Sequence, residues 1–172
     1  MSDTQPGPLR GILYPVDTYN AAARTITLLN LYSTGQDGTE AVAAEVAEEG
    51  QRALLAFTEA CALAFSMSVE DLTALRDAAH LDVPRHITGI YEKYGDLPAL
   101  AEHMPRLLQA AGGRSLDDLA ELTAVLTEIG LTPALPLSLA RATVMVLRLV
   151  ELSGTQIADL IDDLEQQMLM RT

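Results

Sequence analysis

At 172 residues and 18.4 kDa the chain has the length of one domain, and area scaling lets roughly 70% of its unfolded surface be buried. Apolar residues make up 49% and charged residues 20%, which excludes a disordered or low-complexity polypeptide. Against 24 Asp and Glu stand ten Arg and Lys93, scattered singly, for a net charge of −13; neither nucleic acid nor an anionic membrane is expected as a partner.

Residues 1–16 carry Pro6, Gly7, Pro8, Gly11 and Pro15 and read as an irregular N-terminal arm. Asp17 caps a predicted helix over about 18–33, and Ser33 to Gly38 reads as a loop. The longest helical pattern follows, over about 39–65, with Val42, Val46, Ala53, Phe57, Cys61, Ala64 and Phe65 as its stripe. Gly50 interrupts it at a cost of about 1 kcal/mol relative to Ala, so a bend or close helix contact is expected there. Ser68-Val69-Glu70-Asp71 has the cap-plus-acid form of a new helix start, continued by Leu72, Leu75 and Ala79. Asp82 and Pro84 open a further helix that stops at Gly95. The segment from Asp96 to Gly112 is kinked or split by Pro105. Ser115-Leu116-Asp117-Asp118 starts a helix ending at Gly130, and Thr132 to Pro136 reads as a turn. Residues 137–152 are apolar on nearly every side, the mark of a centrally buried helix, and 156–170 are cleanly amphipathic.

No useful stretch alternates with period two, so the expected fold is all-α: a single-domain bundle of seven to eight helices over residues 17–172 behind the irregular arm. Residues 68–75 echo residues 115–122, although cap-acid-acid-Leu is what any helix start converges on.

The chemistry-bearing residues are few. Cys61 is the lone cysteine and has no cation beside it, so it reads as a buried structural thiol. Asp117-Asp118-Leu119-Ala120-Glu121 has the DDxxE form and resembles the magnesium-binding string of isoprenoid synthases. That resemblance implies diphosphate chemistry with Asp117, Asp118 and Glu121 as candidate metal ligands. The simpler reading is that three acids in the first two turns complement the helix macrodipole. Asp77 and His80 are spaced like half of a carboxylate-bridged di-iron site, but no second such pair occurs, and His103 stands apart. The densest proton-handling segment runs from His80 through His86 to Tyr91, which makes these three the candidate catalytic residues. Nucleotide-binding, nucleophile-elbow and zinc-protease strings are absent, and no cofactor is expected. Residues 152–161 have the outline of a helix-turn-helix, but Asp159, Asp162, Asp163 and Glu165 would be repelled from a DNA groove.

Ile157, Leu160, Ile161, Leu164 and Met168 form a broad apolar stripe on the terminal helix. It either closes its own bundle or docks on a protein partner or second copy, and these five are the candidate partner-binding residues. The expected function is therefore a non-catalytic accessory or regulatory subunit acting through protein–protein contact. The alternative is a small-molecule-binding protein or enzyme with an inter-helix pocket near His80, His86 and Tyr91. Residues 1–8 lack the basic and apolar regions of a signal peptide. The run 142–152 is broken by Arg148 and Glu151 and is too short to span a bilayer. A cytoplasmic protein is expected, and scarce Lys beside plentiful Ala, Leu and Arg fits a GC-rich bacterial genome.

Overall fold

A computed structural model describes residues 15–71, 132–148 and 154–170, with Arg106, Asp117, Ala120, Glu121, Ala124 and Glu128 described singly. The fold is all-helical, and no strand occurs among the described residues. Their continuous stretches form five helices: α1 (Pro15–Thr34), α2 (Thr39–Glu49), α3 (Gln51–Asp71), α4 (Ala134–Arg148) and α5 (Gly154–Met170). The helices expected over 82–95 and 96–112 lie outside the described residues but for Arg106, and that over 115–130 is described only at its single positions.

Helix α1 begins at Pro15, inside the stretch read as irregular arm. Proline is welcome there because the first N–H groups of a helix have no intrahelical acceptor. Ala21, Ala22, Thr25, Ile26, Leu28 and Leu29 face inward at i, i+1, i+4, i+5, i+7 and i+8. The helix stops at Gly35, whose φ of 69° is the left-handed conformation of a C-terminal cap. The amide of Gly35 donates to Tyr32 O and that of Gln36 to Leu31 O, the paired bonds of a Schellman turn. Hydroxyls of Ser33 and Thr34 donate to Asn30 O and occupy another terminal carbonyl.

The pattern expected over 39–65 is two helices. Gly50 has φ 114° and ψ 179°, a region essentially restricted to glycine, and it ends α2 and starts α3 at once. Its N–H donates to Ala47 O and its carbonyl accepts from Leu54 N. Helix α3 then runs through Ser68 to Asp71, so the cap expected at Ser68 does not form. Packing overrides the local signal: Phe65, Met67 and Ser68 are all buried, and a break at Ser68 would undo that register.

The turn expected over 132–136 is confined to Thr132 and Pro133, and a helix runs from Ala134 on. Thr132 caps α4, its hydroxyl accepting from the Ala134 amide at 2.9 Å. Pro136 has no N–H to give Thr132 O, and the Leu135 amide takes that carbonyl at 3.1 Å instead. Twelve residues of α4, from Ala134 to Leu147, are buried, which places the expected central helix at the core. Helices α3 and α4 pack on each other, α1 packs against α3, α4 and α5, and α2 lies over α3 with lighter contacts to α1 and α4. Phe57, Phe65, Leu135 and Leu139 are among the largest side chains sealed between these layers. No described helix is long and apolar enough to cross a membrane.

Candidate functional site

The most unusual side chain of the described core is Glu59, the sole charged residue between Arg52 and Glu70. It is 2% exposed, and neither carboxyl oxygen has a hydrogen-bond partner among the described residues. Removing the carboxylate from water disfavours its charged form, and burial pushes its pKa up to about 8. At neutral pH the group is therefore an un-ionised acid inside α3. A lone charge within a long neutral stretch is the visible signal for this position, one that a search for apolar stripes passes over.

Two residues on, roughly 160° around the helix on the shorter arc, Cys61 is buried against α1, its sulfur 3.6 Å from the Thr25 hydroxyl. Burial pushes this thiol up to about 12, against a smaller opposing effect of the Thr25 contact. The thiolate needed for nucleophilic attack is thus suppressed, as expected of a structural cysteine. Thr58 and Thr143 satisfy their buried hydroxyls by donating to Leu54 O and Leu139 O one turn back. Ser68 and Ser138 hydroxyls have no partner among the described residues.

Charged groups elsewhere form surface networks. Arg24 of α1 donates to both carboxylate oxygens of Glu49 at the end of α2 and lies 3.6 Å from Glu45. The guanidinium holds the Glu49 carboxyl below its ordinary value. At the C-terminal end of α1, Arg148 donates to Tyr32 O and Ser33 O, and the Arg141 guanidinium lies 5.7 Å from the centre of the Tyr32 ring. A cation thus meets the carbonyl end of the helix dipole.

The candidate metal ligands divide. Asp117 is exposed, and Asp118 lies outside the described residues. Glu121 receives a two-pronged pair from Arg106, at 2.9 Å and 2.8 Å, while Arg106 also reaches Glu128 at 3.2 Å. A magnesium ion at Glu121 would have to displace that fork. Among the described residues no group of three or more His, Cys, Asp or Glu is arranged to hold a metal. Candidate catalytic residues His80, His86 and Tyr91, together with Asp77 and His103, lie outside the described residues.

The stripe of α5 is turned into its own chain. Ile157, Ile161, Leu164 and Met168 are buried and Leu160 is partly buried against the same core, with α1 and α3 as the facing helices. In the described structure these five side chains pack into the chain's own core. The outward side holds Asp159, Asp162 and Asp163, with Glu165 at its edge.

No family model matches this chain, and no curated protein or solved structure does either.

Proposed function

We propose that this chain is a non-catalytic accessory or regulatory subunit that works through protein–protein contact in support of a catalytic partner. The observation that carries the reading is the sign of its outward faces. Helix α2 exposes Glu40, Glu45, Glu48 and Glu49, of which Glu45 and Glu49 are met by Arg24 of α1, α5 exposes Asp159, Asp162 and Asp163, and neither α2 nor α5 contains a lysine or arginine. Faces of one sign steer encounters toward a surface of the other sign, so the fitting partner presents a basic protein patch. Glu59 and Cys61, both held neutral by burial in the described core, present no charged reactive group there. The reading takes the whole chain as one bundle of seven to eight helices acting in the bacterial cytoplasm.

Light scattering after size exclusion, with affinity capture from the native host at low and at molar salt, tests this. A defined partner retained at low salt and released by screening is the expected result. A chain that stays alone at 18.4 kDa and retains nothing at low salt overturns the reading.

A further inference from the structure

Gly50 is the single residue that separates α2 from α3. Its φ of 114° with ψ of 179° belongs to glycine for conformational reasons, because a Cβ added there would meet nothing within 4 Å. On both sides the sequence keeps one helical register: Val42, Val46, Ala53 and Phe57 would fall on one stripe of an unbroken helix. Gly50, Gln51 and Arg52 are all exposed, so straightening the chain here uncovers no buried side chain at the turn itself. The Gly50 amide reaches back three residues to Ala47 O, where a continuous helix would give it Val46 O.

We propose that this chain exchanges its α1–α2 hairpin with a second copy of itself, Gly50 opening so that α2 and α3 fuse into one helix. The hairpin is built to travel as a unit, since the Arg24 clasp on Glu45 and Glu49 lies wholly within it. What fastens the hairpin to the rest of the fold is equally available from another copy. The Thr25 hydroxyl meets Cys61 of α3, and Arg148 and Arg141 of α4 meet the backbone and ring at Tyr32. Exchange therefore preserves every one of these contacts and adds a continuous helix, and a hinge of one residue is the geometry that invites it. The inference stands apart from the accessory-subunit reading, which concerns a different, basic partner.

The test uses the full chain refolded from denaturant at micromolar to millimolar concentration. Gly50→Ala removes the residue the turn requires and favours helix, so the monomer–dimer balance shifts toward dimer by at least about fivefold. Thr25→Cys, in a chain with Cys61 as its one cysteine, then reports which copy supplies each helix. Refolding both variants combined in a glutathione redox buffer, with the product read on a non-reducing gel, gives a covalent dimer when the hairpin is exchanged. A covalent monomer at every concentration overturns the proposal, and so does a light-scattering dimer that runs as covalent monomers, which marks side-by-side association. Should Gly50→Ala not refold, Thr25→Cys with the natural hinge is refolded at millimolar concentration and judged by the same two gel outcomes.

Discussion

Helices α3 and α5 begin from the same kind of apolar spacing and end in different surroundings. In α3 seven consecutive residues, Ala56 to Ala62, are buried, a carboxyl among them. In α5 burial comes at Ile157, Ile161, Leu164 and Met168, with exposed carboxylates between them. A helix covered by neighbours on one side sorts its residues by face, whereas one covered all round takes in whatever the sequence supplies. The acids of α5 stay in water. Glu59 of α3 gives up its charge instead.

Three measurements sharpen that contrast, all read from denaturant unfolding followed by circular dichroism. The largest effect is expected from Phe57→Ala in α3, which empties a fully buried site and costs about 4 kcal/mol; a loss under 1 kcal/mol would mean that α3 is not central. Next is Glu59→Gln. The folded protein keeps the Glu59 proton up to about pH 8, while an unfolded glutamate releases it near 4.5. Across that window the unfolded chain binds fewer protons, so this group's contribution to stability is greatest below 4.5 and declines as pH rises toward 8. Glu59→Gln should remove that decline and raise stability at neutral pH by on the order of 3 kcal/mol, since holding a proton against the solution costs about 1.4 kcal/mol for every tenfold fall in its concentration. An unchanged pH profile would show that Glu59 is paired or hydrated. The smallest effect belongs to Asp162→Asn on the outer face of α5, expected within about 0.5 kcal/mol of the parent. A larger change would place that carboxylate in an interaction within the chain.

Much of the architecture is legible from spacing alone. Inward positions of α1 and α5 follow the apolar period, the all-round apolar run of α4 marks a helix buried on nearly every side, and Gly50 marks where the longest pattern yields. Its consequence, two helices joined by one glycine-only residue, is not readable, because the apolar period is unaltered across the break. Ser68 misleads for the opposite reason: a good local cap loses to the burial of Phe65 and Met67 beside it. Pro136 misleads similarly, since its missing N–H is harmless once the Leu135 amide has taken Thr132 O. Arg106 pairs with Glu121 and Glu128 across 15 and 22 positions, a choice no local window contains.

The amino-acid order by itself determined the helical class, the acidic exterior and the set of apolar positions, because each follows from composition or from a periodicity within one helix. Only the tertiary structure decided that the stripe of α5 meets its own chain, that Glu59 is, among the described residues, a carboxyl deprived of water, and that α2 and α3 part at Gly50. Those outcomes turn on which distant elements arrive within a few ångströms, and contact free energies at that range outweigh local preference.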